Sequence, residues 1–233
     1  MKKEVVWTLA LVALMTGCVS TKTARTTSDA GLLAYYPLDG NARDASGHGY
    51  DGLAVSVTFE KGYIGQAARF IGTYDSFIKI DRFPNVKSNV TVSAWIRPAS
   101  GGYGAIFCRG RTKCAYDLAV SDDHLLTWLN FGMPGSGPRD IQIPDLPANR
   151  FYHVAMVCDA AHGQLLYYVD GERKAKFNYS DSFNFEAQAE PLYLGIDPPG
   201  APECYSGLID EVRIYNRPLT DDEVRMQASE PPK

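Results

Sequence analysis

The chain carries no excess of basic residues. Lys and Arg number 23 against 27 Asp and Glu, for a formal net charge of −4. It therefore lacks the positive field that grips a phosphate backbone, and a nucleic-acid partner is not expected. There is no P-loop and no dinucleotide fingerprint. There is no CxxC pair, which disfavours a zinc site. Internal repeats of useful length are absent, and only one helix is signposted. What is abundant is Tyr (14), Phe (10) and Gly (21), a composition that suits strands joined by tight turns. At 233 residues the chain is long enough to bury a sizeable core.

The longest apolar run near the N-terminus, residues 5–14, falls short of the roughly 20 residues that a membrane-spanning helix needs. Lys2 and Lys3 precede it, and Leu14-Met15-Thr16-Gly17-Cys18 follows. A small residue before a lone cysteine resembles a bacterial lipobox, although Met15 stands where Leu is more usual. The resemblance implies that residues 1–18 are a lipoprotein signal peptide and that Cys18 is acylated. The protein would then be exported and lipid-anchored to the bacterial envelope, touching the membrane through the lipid anchor only. Val19-Ser20, without an Asp after the cysteine, resembles outer-membrane or cell-surface sorting. An ordinary secretory signal cut near Cys18 is the alternative. Residues 19–30, rich in Ser and Thr, read as a flexible tether. Residues 31–228 read as one domain and 229–233 as a tail.

Cys108, Cys114, Cys158 and Cys204 remain, an even number suited to an oxidising compartment. Four cysteines allow three pairings. Cys108 with Cys114, across the presumed hairpin tip RGRTK, needs least chain movement and leaves Cys158 with Cys204. Buried free thiols are the alternative.

Beyond residue 31 the pattern is one of punctuated strands. In 90–97, Val90, Val92, Ala94 and Ile96 share one face, and Pro98 stops the run. Further strands are expected at 32–36, 77–80, 105–108, 116–120, 125–131, 151–158, 192–196 and 208–215. Strands at 165–169 and 173–179 flank Asp170-Gly171, a strong hairpin signal. This spacing points to an all-β antiparallel sandwich. Thr220 and Glu223 fit a capping box that opens one short C-terminal helix.

Three blocks carry a family resemblance. They are GLLAYYPLDGNARDASGHGYDG; VTVSAWIRP with FYHVAMVCDAAHGQLLYYVDGE; and GLIDEVRIYNRPLTDDEV. In this order they resemble the laminin-G-like, concanavalin A-like jelly-roll domains of secreted bacterial proteins. The resemblance implies a two-sheet jelly-roll sandwich with its first and last strands side by side. It also implies a structural calcium (Ca2+) in many members, and glycan binding or adhesion more often than catalysis.

Calcium takes about six to eight oxygen ligands. Asp39, Asn41, Asp44 and Asp51 offer side-chain oxygens in one Gly-rich loop. Asp210 lies among apolar neighbours, where a carboxylate is costly unless paired or metal-bound. Adjacent terminal strands would bring it beside Asp39. The expected ligands are Asp39, Asn41, Asp44 and Asp210, with carbonyls from 41–48. Asp51 reads instead as a turn residue. The alternative is a metal-free turn, with Asp39 and Asp44 capping backbone amides and Asp210 paired with an arginine such as Arg43.

Catalysis is not expected. Glu186-Ala187-Gln188-Ala189-Glu190 alternates like the acidic strand of jelly-roll glycoside hydrolases, but Gln188 replaces the middle acid and Pro191 follows. His153 reads as a satisfied core histidine. A glycan or polysaccharide is the expected partner, held by Trp128, Asn130, Tyr116 and Arg109 on the central strands. Protein–protein adhesion or a structural role among envelope proteins is the alternative, and glycoside hydrolysis the second.

Overall fold

A computed structural model describes residues 29–86, 88–100, 103–110, 116–121, 124–129, 137–141, 146–178, 190–197 and 203–232, with backbone alone for 103, 124–129 and 137–141. The first strands are β1 (Leu32–Tyr36), β2 (Leu53–Val55), β3 (Thr58–Lys61), β4 (Gln66–Ile71), β5 (Phe77–Ile80) and β6 (Val90–Pro98). The central ones are β7 (Tyr103–Arg109), β8 (Tyr116–Ser121), β9 (His124–Leu129), β10 (Gly137–Ile141), β11 (Tyr152–Asp159) and β12 (Gln164–Val169). The last are β13 (Glu172–Asn178), β14 (Leu192–Leu194), β15 (Ile196–Asp197), β16 (Glu203–Cys204) and β17 (Ser206–Tyr215), before the helix α1 (Asp221–Ala228).

Two antiparallel sheets form the sandwich. One runs β13-β12-β11-β6-β17-β4-β3, with β1 also bonded to β17; the other runs β10-β9-β8-β7-β14-β5-β2. β17 is the pivot of the first sheet. It pairs with β6 on one side through a bulge between Asp210 and Arg213. On its other side it pairs with β4 as far as Ile209 and with β1 from Val212 onward. The terminal strands are therefore neighbours, with Leu32 opposite Tyr215.

The alternation in β6 sends Val90, Val92, Ala94 and Ile96 into the core between the sheets. Thr91, Ser93 and Trp95 point the other way and are buried too, because that face is roofed. Thr91 Oγ1 donates to the Arg217 carbonyl at 2.8 Å, and Ser93 Oγ donates to Gln227 Oε1 at 2.8 Å. Tyr63 lies flat on Trp95, ring centres 3.5 Å apart.

Local signals fold as the residues dictate. The Thr220 side chain accepts from the Glu223 amide, and the Glu223 carboxylate accepts from the Thr220 amide. A two-nitrogen bond from Arg217 holds the Glu223 carboxyl down at about 2. Asp170 and Gly171 take φ of 51° and 78°, the left-handed pair that a tight hairpin requires. Three elements differ from expectation. Residues 53–71, with no regular alternation, supply β2, β3 and β4; Ala67, Ala68 and Phe70 of β4 are fully buried. The strand expected over 192–196 breaks at Gly195, where φ is +84° and a Cβ would lie 2.2 Å from the Phe70 ring. Cys158 is a free thiol buried in the main core on β11, and burial pushes its pKa up. The expected Cys158–Cys204 disulfide is thus not formed, since an even cysteine count does not specify partners. Cys114, and with it the Cys108–Cys114 pairing, lies outside the described residues, as does Cys18.

The segment after β16 presses on β7. A Cβ on Gly104 would stand 2.2 Å from the Tyr205 amide nitrogen, a backbone atom that cannot turn aside. Gly104→Ala is expected to cost about 1–3 kcal/mol or more of stability, read as a lower thermal midpoint by circular dichroism.

Candidate functional site

The acidic loop after β1 is knitted by its own side chains. Asp44 Oδ1 accepts from the amides of Tyr35 (3.0 Å) and Ser46 (2.9 Å), and Oδ2 accepts from the Tyr50 amide (3.1 Å). Partial burial pushes the Asp44 carboxyl up, but these bonds outweigh it and hold it below its usual range. Asn41 Oδ1 accepts from the Arg43 amide at 2.9 Å, and Asp51 Oδ1 accepts from the Asp44 amide at 2.9 Å. Asp44 and Asn41 thus each accept from main-chain amides of the loop's own turns.

Asp39 and Asp210 behave differently. Both reach the 62–66 turn that leads into β4. Asp39 Oδ1 accepts from the Gln66 amide at 2.6 Å. Asp210 Oδ2 accepts from the amides of Tyr63 (2.9 Å) and Ile64 (3.0 Å). Asp210 is fully buried and its Oδ1 has no hydrogen-bond partner. Burial, with the adjacent Glu211 charge adding to it and the amide bonds opposing, pushes its carboxyl up to about 7. No ion pair to Arg43 forms among the described residues. Asp39, Asp44 and Asp210 do not form a trio with oxygens within 4.8 Å of one another.

The acids that do converge were not anticipated. Asp117 on β8, Asp197 on β15 and Glu203 on β16 bring ligand-type oxygens within 4.8 Å. The Cys108 thiol donates to Asp197 Oδ1 at 3.4 Å and to the Gly110 carbonyl at 3.5 Å. Burial pushes Asp197 up to about 6, with the Cys108 bond working against the rise and Glu203 adding to it. No sequence spacing links position 117 to 197 and 203; only the stacking of the β15–β16 pair on β7 does.

The proposed central ligand surface is corrected. Tyr116 is fully buried and Arg109 is 1% exposed, so neither lies on a surface. Tyr116 packs edge-on against Phe107 between the sheets, and Arg109 Nη2 donates to the Phe83 carbonyl at 3.0 Å. On β8, Tyr116, Leu118 and Val120 face the core between the sheets, while Ala119 packs with Ala105 and Cys108 in a separate cluster. Trp128 lies on β9, described by backbone alone, and Asn130 lies outside the described residues. His153 is buried but not satisfied: neither ring nitrogen has a hydrogen-bond partner, and burial, helped by Arg213, lowers its pKa to about 3. Of the 186–190 segment only Glu190 is described.

A cleft of about 330 Å³ opens where β1 starts, β17 ends and the loop from β5 to β6 crosses between them. Its polar lining is Asn85, Ser88, Asn89 and Asn216, and Leu33 and Val86 give apolar walls. The sequence signal was present in PNVKSN but was not singled out.

The model of the concanavalin A-like lectin/glucanases superfamily matches residues 72–225. The chain belongs to this superfamily. It is similar to the binding domain of Paraclostridial mosquitocidal protein 1, with a TM-score of 0.73 and 15% identity over 86% of this chain and 52% of that one. It is also similar to domain 4 of a GH43 extracellular arabinanase from Geobacillus stearothermophilus, solved with arabinotriose, with a TM-score of 0.63 and 24% identity over 85% of this chain and 98% of that one. Among curated proteins, it is 23% identical over 160 residues, 64% of this chain, to adhesion G-protein coupled receptor V1 of Danio rerio. The chain spans 2% of that receptor's length.

The Asp197 shift has a pH signature. Its carboxyl, ordinarily near 3.8, holds its proton to about 6 in the fold. The stability it contributes is therefore full below about pH 4 and is lost as pH rises through 6. Thermal midpoints of Asp197→Asn across this window are expected to fall less steeply than those of the wild type.

Proposed function

We propose that this domain is a non-catalytic glycan-binding module, exported and lipid-anchored at the cell surface through Cys18. The observation that carries the reading is the 330 Å³ cleft lined by three carboxamides and a hydroxyl beside apolar walls. Carboxamides donate and accept in one plane, as sugar hydroxyls require, while Leu33 and Val86 can meet C–H surfaces. Superfamily membership and the arabinotriose bound by the arabinanase domain support the reading. Among the described residues, no helix is long and apolar enough to cross a membrane.

A structural calcium is the second part of the proposal. Asp210 Oδ1 is a buried carboxylate oxygen without a partner, and Asp39 accepts from the Gln66 amide of the same turn that Asp210 holds. These two residues, rather than Asp44 or Asn41, would hold the ion. It would supply positive charge to a buried carboxylate and tie the terminal strands together.

Titration of the full chain with arabinotriose is expected to give saturable binding that Asn85→Ala weakens about tenfold, the loss of one or two hydrogen bonds. Binding unaffected by both Asn85→Ala and Asn216→Ala would move the site elsewhere. Chelation with EGTA is expected to lower the thermal midpoint in the wild type but not in Asp39→Asn. An unchanged wild-type midpoint would argue against the ion.

A further inference from the structure

The outer face of the first sheet holds polar atoms that the protein itself leaves unmet. Trp95 Nε1, both ring nitrogens of His153 and Arg213 Nη1 are buried and have no hydrogen-bond partner. Strand register gathers them. His153 on β11 lies opposite Trp95 on β6, and Arg213 on β17 lies opposite Ser93, two residues along the same face of β6. The His153 ring stands edge-on to Trp95 with ring centres 5.4 Å apart, and Tyr63 covers the indole. The segments that meet here, 62–66, 91–97, 150–159, 209–215 and 221–232, all lie among the described residues. Neighbouring groups are committed elsewhere. The His153 amide donates to Asp170 Oδ1 at 3.0 Å and its carbonyl accepts from the Asp170 amide at 2.7 Å, so only the ring is left over. Ser93 spends its hydroxyl proton on Gln227 Oε1. Arg213 Nη2 donates to Glu211 at 2.7 Å and to Glu230 at 3.0 Å, and Nη1 takes no part.

We infer that ordered water is built into this face as a structural ligand, with His153 and Trp95 as its fixed partners and Arg213 Nη1 at the end toward β17. Buried polar atoms are almost always paired, and one left unmet gives up its hydration for nothing. The chemistry selects water over an ion. Burial and the Arg213 charge keep the imidazole neutral, so it presents one N–H donor and one acceptor nitrogen. An anion would use the three donors, but it would leave that acceptor unmet and face Glu211 and Glu230, which already offset Arg213. A cation would face two N–H groups and a guanidinium. Water donates and accepts alike, and a buried molecule makes about three hydrogen bonds. Asp210, opposite Trp95 on β17, is not required by this arrangement and is left to the ion proposed above. The water layer joins β11 to β17 across β6, beneath the Tyr63 ring.

The test is water–protein NMR on the full chain, with the Trp95 indole proton assigned by its disappearance in Trp95→Phe. A cross-peak from that proton to the water resonance is expected. It should carry the sign of the diagonal in NOESY spectra and the opposite sign in ROESY spectra, which separates a held water from proton exchange. His153→Phe, which removes both ring nitrogens, is expected to weaken or abolish it. A crystal structure is expected to place water within about 3.2 Å of a His153 ring nitrogen. No such cross-peak in the wild type, or a crystal structure in which His153 and Trp95 take protein partners instead, would overturn the inference. A cross-peak unchanged in folded His153→Phe would overturn the part given to His153.

Discussion

The buried carboxylate of Asp210 closes a gap in the sheet that no strand could close. Along one edge β17 is flanked by β4 up to Ile209 and by β1 from Val212. Between them the ladder stops, and the amides of Tyr63 and Ile64 arrive at the gap with no strand carbonyl opposite. Asp210 accepts both. An unmet buried amide costs about 1–3 kcal/mol, so a single side chain that satisfies two sets the geometry there. The next residue follows from the same constraint. Glu211 bulges at φ +54°, is almost fully buried, and is held by the Tyr35 hydroxyl and Arg213. Positions 62 and 65 of the turn call for glycine, because a Cβ on Gly62 would lie 2.7 Å from the Gln66 carbonyl carbon and Gly65 takes φ +60° with a Cβ position 2.2 Å from Asp39 Oδ1.

From this junction the constraint spreads to the cleft. Fixing β1 beside β17 brings Leu33 and Asn216 into the lining of one opening, and the loop before β6 adds Asn85, Ser88 and Asn89. The same junction lays Tyr63 on Trp95, roofing one end of the outer sheet face while α1 roofs the other. The acidic loop and the cleft therefore do separate jobs. The loop stabilises the frame, and the frame shapes the cleft between the terminal strands that is proposed above as the binding surface.

Much of the fold was legible because it rests on local signals. The two-residue period of β6, the Asp170-Gly171 turn and the Thr220–Glu223 box each require only neighbouring residues to act. The pairing of first and last strands was legible only through the family resemblance. β2, β3 and β4 were not, since Ala67 and Ala68 are buried by what packs on them and not by an apolar pattern of their own. The site was less legible still. Asp210 was singled out correctly as an acid among apolar residues, but its partners are main-chain amides, which leave no trace in sequence. Tyr116 and Arg109 were misplaced because a strand's alternation defines two faces without saying which is inward. The meeting of Asp117, Asp197 and Glu203 depends wholly on tertiary stacking.

The role of Asp210 is tested most directly by residue-resolved amide hydrogen exchange in the wild type and in Asp210→Ala. The Tyr63 and Ile64 amides are expected to be protected in the wild type and to lose that protection in the variant, while amides in the centre of β6 and β11 keep theirs. Tyr63 and Ile64 amides that exchange freely in the wild type, or that stay equally protected without the carboxylate, would contradict the account.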